Sequence, residues 1–241
     1  MADFVSPIIG NSINGGDGGI PYLPYVQSHW KLDETTGNAL NALDSTYDFT
    51  ETGTVPAAAG KLDGCRGVFS TSNYFALNNA KYDTQKFLVE GWFNTSAASD
   101  KVIMAKGIFA TGGWQIYLLS ANNALRFNAH GGWQFDSSTT GLNDGGWHHF
   151  ACARIATSGA DGARIYIDGA NDADVNVTGN YTTDPGQNAT IAVQRNVTSP
   201  FVGLLDDITY WDTVPATWGE IDTLVTQRWN GGNGRRWSVD P

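Results

Sequence analysis

Short runs dense in β-branched and aromatic residues, each closed by a polar, glycine-rich turn, recur along almost the whole of this chain. Phe87-Leu88-Val89-Glu90-Gly91-Trp92-Phe93 is one; Trp114-Gln115-Ile116-Tyr117-Leu118-Leu119 and Trp147 to Ile155 are others. Arg164-Ile165-Tyr166-Ile167 alternates and stops at Asp168-Gly169, a dipeptide suited to a tight hairpin turn, and Ile208-Thr209-Tyr210-Trp211 follows late. Many short strands with turns between them select a sandwich or a barrel. The composition agrees: of 241 residues 29 are glycine, 12% are aromatic and only 16% are charged, too few for long exposed helices. The chain is long enough to bury a self-sufficient core without a disulfide or metal staple.

One helix is expected near the C-terminus. Thr217 and Glu220 have capping-box spacing, Trp218, Ile221, Leu224 and Val225 make one apolar face, and Gly231-Gly232 ends it. Residues 1–24 are rich in Gly, Pro and Asn and close on Ile20-Pro21-Tyr22-Leu23-Pro24; they read as an extended assembly arm. Residues 25–241 read as one domain.

The net charge is −10, and the 14 basic residues are scattered. Nucleic acid needs clustered Lys and Arg, so it is excluded as a partner, and an anionic membrane surface is disfavoured for the same reason. No segment approaches the run of about 18 apolar residues that inserts into a bilayer. The N-terminal MADFVSPIIGNSINGGDGG lacks a basic start and an apolar stretch, so it does not read as a secretory signal. The expectation is a protein that acts where it is made or leaves the cell by another route, such as inside a virus particle. Cys65 and Cys152 lie in apolar runs and read as buried thiols, with a bridge left open.

Taken together, these segments resemble the laminin-G-like, or concanavalin A-like, jelly-roll superfamily. Trp30-Lys31-Leu32-Asp33-Glu34 is similar to its opening strand, Gly146-Trp147-His148-His149-Phe150 to its "WHH" strand and Tyr166-Ile167-Asp168-Gly169 to its "YIDG" hairpin. Phe201 to Ile208 resembles the closing "F-x-G-x-IDDV" strand, and Trp229-Asn230-Gly231-Gly232 the "NGG" tail. The resemblance implies an all-β fold, a two-sheet antiparallel β-sandwich (jelly roll) with one short C-terminal helix. Fold does not fix function, since lectins, glycosidases, adhesion modules and virion proteins share it.

No catalytic residues are assigned. Glycosidases of this fold align carboxylates at alternate strand positions, whereas the four glutamates here, Glu34, Glu51, Glu90 and Glu220, form no such set. His148 and His149 are adjacent on a strand and point to opposite faces, which argues against one shared metal. By family resemblance Asp206 implies a structural calcium site, with Asp33 and Asp44 as further oxygen ligands; the competing reading is that Asp206 and Asp207 brace the strand end. A host-surface glycan is the candidate ligand. Trp114 and Trp133 each follow Gly-Gly, and with Asn128 and His130 they make a candidate sugar patch, against the reading that the tryptophans fill the core.

The leading expectation is a non-catalytic virion structural or adhesion protein (a bacteriophage capsid-decoration, fibre or tail component) that displays a lectin-like domain on the particle surface. Its partners are then other virion proteins or further copies of itself, in a homo-oligomer. The alternative is a carbohydrate-binding adhesion module, secreted or on a cell surface; a glycosidase stands third.

Overall fold

A computed structural model describes residues 20–21, 26–77, 82–108, 111–194, 196 and 198–238. In chain order the strands are β1 (Ile20–Pro21), β2 (Val26–Trp30), β3 (Thr50–Thr52), β4 (Ala57–Ala59), β5 (Gly64–Gly67), β6 (Tyr74–Leu77), β7 (Phe87–Asn94), β8 (Lys101–Lys106) and β9 (Trp114–Leu118). They continue as β10 (Leu125–Ala129), β11 (Trp133–Asp136), β12 (Trp147–Arg154), β13 (Gly159–Ile167), β14 (Ala170–Val177), β15 (Ala189–Ile191), β16 (Leu204–Trp211) and β17 (Trp237–Ser238). Among the described residues the single α-helix, α1, is Trp218–Trp229.

Two antiparallel sheets face one another. One has the order β11-β10-β9-β8-β15-β6-β3; the other runs β14-β13-β12-β7-β16-β5-β4, with β2 pairing the far end of β16. The expected two-sheet sandwich with one short C-terminal helix is what forms. Alternation explains it: along β7, Phe87, Val89 and Phe93 turn inward, while Leu88, Glu90 and Trp92 turn outward. The inward residues build the main core with Trp30, Phe49, Trp114, Ile116, Phe127, Phe150, Ile165 and Tyr210. Aromatic rings set its geometry, with Trp30 edge-on to Phe49 at 4.7 Å and Tyr82 edge-on to Tyr210 at 4.9 Å.

A second, smaller core lies outside the eight-stranded sheet. Leu88, Ala151, Ala153, Tyr166 and Trp211 meet Ile221, Leu224 and Val225 of α1 and Trp237 of β17. The helix starts with the expected capping box, Thr217 and Glu220 each satisfying the other's backbone amide. It ends at Asn230 in the left-handed conformation, one residue before the glycines expected to stop it. The β13–β14 turn is the expected Asp168-Gly169 hairpin, both residues at positive φ (50° and 84°). Gly169 is also required there by packing, because an added Cβ would lie 2.4 Å from the Trp229 ring.

Of the expected assembly arm, Ile20–Pro21 pairs in parallel with Trp237–Ser238 of the same chain. Tyr22, Leu23 and Pro24, like residues 1–19, lie outside the described residues. Cys65 and Cys152 are both buried and free, which closes the question of a bridge. No helix among the described residues is long and apolar enough to cross a membrane.

Trp211 is fully buried in the second core, its ring 5.3 Å from that of Trp237. Trp211→Ala is therefore expected to lower unfolding free energy by about 3–5 kcal/mol, as for other buried aromatic truncations. Urea denaturation checks it; a loss under about 1 kcal/mol would mean that α1 is not stably docked.

Candidate functional site

The outer faces of the two sheets differ. On the eight-stranded sheet, the polar half of the outer face is a buried charge network. Glu90 Oε1 accepts from Arg228 Nε at 3.0 Å and from the Trp237 indole N–H at 2.8 Å. Asp207 takes the other side of the same guanidinium, Oδ2 accepting from Arg228 Nη2 at 2.5 Å, and its Oδ1 lies 2.6 Å from His29 Nε2. Arg228 Nη1 donates to the Arg235 carbonyl. All four side chains, Glu90, Asp207, His29 and Arg228, are fully buried.

A local irregularity in β16 makes this arrangement reachable. The register slips between Asp206 and Thr209, and Asp207 sits at φ 55°. Such a bulge re-aims a side chain that regular alternation would place elsewhere. Burial alone would raise the carboxyl pKa of Asp207 and Glu90, but the opposed charges outweigh it, His29 and Arg228 at Asp207 and Arg228 at Glu90. Both therefore stay ionised. This network ties α1 and the tail to the sheet and has no access for a substrate.

Asp206 stands apart. Its Oδ2 accepts from the backbone amides of Lys61 and Leu62 at 2.7 and 2.8 Å, and Oδ1 has no hydrogen-bond partner. Burial, and then the neighbouring Asp207 charge, pushes its pKa up to about 7. Asp33 and Asp206 lie on either side of the Arg236 guanidinium, while Asp44 is elsewhere, accepting from Thr46 N as the cap of a short 3-10 turn, Ser45–Tyr47. Asp33, Asp44 and Asp206 thus do not make the oxygen cage that calcium requires, because an arginine fills the space between two of them. Among the described residues no group of three or more His, Cys, Asp or Glu side chains is placed to hold a metal ion.

His148 and His149 diverge as alternation requires. His149 is buried, its Nε2 3.5 Å from Glu90 Oε2, whereas His148 sits at the sandwich rim. There its Nδ1 is 2.9 Å from Asp168 Oδ2 and its Nε2 3.2 Å from Asp144 Oδ1. The Asp168 contact raises the imidazole pKa against the opposing effect of burial.

On the seven-stranded sheet, cross-strand pairing lines up one outward row: Thr50, Ala76, Thr190, Ala105, Gln115, Asn128 and Gln134. Beside it run Val102, Tyr117, Arg126 and Asp136. Arg126 grips Asp136 with two hydrogen bonds, 2.5 and 2.8 Å, so this pair presents no net charge. Asn128 lies at the bottom of the row, only 1% exposed, with its Oδ1 unpartnered. Gln134 is exposed and also lines an open depression of about 330 Å³ at the β10–β11 turn, together with Ala129, Gly131, Gly132 and Trp133.

The expected sugar patch is therefore half assembled. Asn128 faces outward, and His130 sits half-buried in the turn bordering the depression. The rings of Trp114 and Trp133 turn inward instead: Trp114 is 2% exposed and donates its indole N–H to the Tyr82 carbonyl, and Trp133 packs edge-on against Phe127 at 4.5 Å. Register is the reason. Once Ile116 and Leu118 face the core, Trp114 must follow and Gln115 and Tyr117 take the outer face. Gln115, Tyr117, Gln134 and the Arg126–Asp136 pair were legible from that alternation once each strand's apolar side was assigned.

The fold defines a two-sheet jelly-roll domain with one polar outer face. The chain belongs to the concanavalin A-like lectin/glucanases superfamily, whose Laminin_G_3 family model matches residues 69–221. Domain 4 of AbnA, a GH43 extracellular arabinanase from Geobacillus stearothermophilus, in complex with arabinotriose, matches with TM-score 0.62 at 17% identity, over 84% of this chain and 97% of that one. The Trypanosoma rangeli sialidase in complex with the inhibitor DANA matches with TM-score 0.63 at 9% identity, over 87% of this chain but only 33% of the sialidase. The binding domain of Paraclostridial Mosquitocidal Protein 1 matches with TM-score 0.56 at 13% identity, over 81% of this chain and 52% of that one. At these identities the likeness is one of fold. Comparison with curated protein sequences returns no match.

Two outcomes follow from the charged groups. Arg228→Met keeps the stem but leaves Glu90 and Asp207 buried without their cation, so a loss of about 3–5 kcal/mol is expected in chemical denaturation. His148 has a raised folded pKa, so its contribution is fully present below the unfolded value near 6.5 and is lost as pH rises through the folded value. Urea midpoints across that window should fall with rising pH more in the wild type than in His148→Asn; parallel curves would show that the Asp168 contact does not form.

Proposed function

We propose that this chain is a non-catalytic carbohydrate-recognition module that reads a neutral saccharide with the outer face of the seven-stranded sheet. The observation that carries this is the outward row Gln115–Asn128–Gln134, which runs into the open depression at the β10–β11 turn. Amides donate and accept at once, which suits sugar hydroxyls, and the orphaned Asn128 Oδ1 gives a buried acceptor that gains most from a donor. Tyr117, half-buried beside them, supplies a ring edge or face for an apolar sugar surface.

Register also supports the non-catalytic reading. Among the outward strand positions of that sheet Asp136 is the one carboxylate, and it is fork-bonded to Arg126. Hydrolysis by the usual route needs two carboxylates flanking the scissile bond. Neutralisation of Arg126 by Asp136 likewise favours an uncharged sugar over an acidic one. Domain 4 of AbnA, which spans nearly the same fold, is described with arabinotriose, a neutral oligosaccharide.

The setting we propose is a virion surface, where the domain sits beside other virion proteins or further copies of itself. A secreted or cell-surface adhesion module carries the same sugar face. Native mass measurement on the source particle separates the two: stoichiometric copies support the virion setting, and a free monomer overturns it.

The sugar face is tested by glycan array and titration calorimetry. Binding to neutral oligosaccharides is expected, weakened about threefold to tenfold by each of Asn128→Ala and Gln134→Ala, as loss of one hydrogen bond predicts. Unchanged affinity in the double variant would move the site off this face.

A further inference from the structure

Four carboxylate oxygens converge on one guanidinium at the sheet corner beside β5. Arg236 Nη1 donates to Asp33 Oδ2 at 3.1 Å and Asp63 Oδ2 at 2.9 Å. Its Nε is 3.3 Å from Asp207 Oδ1, and its Nη2 3.9 Å from Asp206 Oδ1. The carboxylates come from separate parts of the chain: the loop after β2, the β4–β5 turn and the bulge of β16.

Such a convergence repels itself unless a cation stands in it. Asp206 makes the requirement acute. Its side chain is fully buried, and its Oδ1 faces the guanidinium without a hydrogen bond of its own. Asp206 Oδ2 meanwhile holds the amides of Lys61 and Leu62, which fixes the turn that carries Asp63. The Asp206 carboxylate and the turn that carries Asp63 are therefore held in place by contacts other than Arg236, whereas the Asp33 and Asp63 side chains lean on the guanidinium itself.

Arg236 is delivered by its neighbours. On one side the Arg235 carbonyl accepts from Arg228, and on the other the Trp237 indole N–H donates to Glu90. The guanidinium is thus placed by two anchors in the buried network, and its side chain is only 17% exposed.

We infer that Arg236 is the resident cation of this corner, standing where a divalent ion would otherwise neutralise the aspartates. The module is then calcium-independent, and with the guanidinium removed the partly exposed Asp33 and Asp63 are free to close with Asp206 on a hard divalent cation. The chemistry fits that exchange: calcium takes oxygen ligands at about 2.3–2.6 Å in flexible geometry and completes its shell with water.

The test uses the full chain, with thermal unfolding and titration calorimetry in EDTA, millimolar calcium chloride and millimolar magnesium chloride. For the wild type, the same Tm in all three and no calcium heat are expected. R236A should unfold earlier in EDTA and gain about 4 °C or more in calcium, the gain disappearing in R236A/D33N/D63N. R236K, which keeps a cation, should behave like the wild type. If R236A is recovered unfolded in EDTA, R236Q carries the same comparison, and refolding of R236A on adding calcium is the supporting result. Calcium binding by the wild type that D206N abolishes would overturn the inference, as would folded R236A or R236Q that ignores calcium.

Discussion

The Arg228 guanidinium between Glu90 and Asp207 is the contact around which the C-terminal third of this molecule is organised. Glu90 lies on a central strand, in a run that is otherwise apolar, and faces outward into a space closed by α1. A carboxylate there without a partner would be severely penalised. The helix answers with one cation on its buried face, and that cation reaches a second acid made available by the bulge in β16. The tail follows, because the Arg235 carbonyl, Trp237 and Arg236 all use the same frame. Buried pairs of this kind contribute little net stability against an apolar alternative; here the pair ties one helix residue to acids on two neighbouring strands.

That docking also divides the labour between the faces. The eight-stranded sheet gives its outer surface to α1 and the tail, so its polar residues serve the fold. The seven-stranded sheet keeps an outer row of amides beside an open depression. One sheet is thus a scaffold on both sides, and the recognition we propose is left to the other.

Much of this was legible in the chain. The strand-rich runs, the Asp168-Gly169 hairpin and the Thr217–Glu220 capping box each rest on local chemistry, and local chemistry decided them. The sugar-face tryptophans failed for an equally physical reason. Gly-Gly before each ring leaves both a sugar patch and core filling open, and strand period selects the second, tying Trp114 to Ile116 and Leu118 and hence to the core. The acidic corner was partly visible: Asp33 and Asp206 do meet, but through Arg236, some 200 residues from one and 30 from the other, and no spacing rule announces such a contact. Glu90 and Arg228 offered a subtler sign, each being a charge set into an apolar stripe.

The separation of that last pair bears on how the chain acquires its structure. Glu90 and Arg228 are 138 residues apart, and the helix carrying Arg228 comes after every strand of the two large sheets. Closing so long a loop is entropically slow, and contacts of this range form late. On a ribosome, the sandwich would be spelled out while the outer face of its larger sheet was still wet and its central acid still hydrated. The final turn of α1 and the tail would then expel that water in one step. A chain stopped short of Arg228 would hold a nearly complete sandwich with an open, apolar and acid-bearing flank, a form for quality control to recognise.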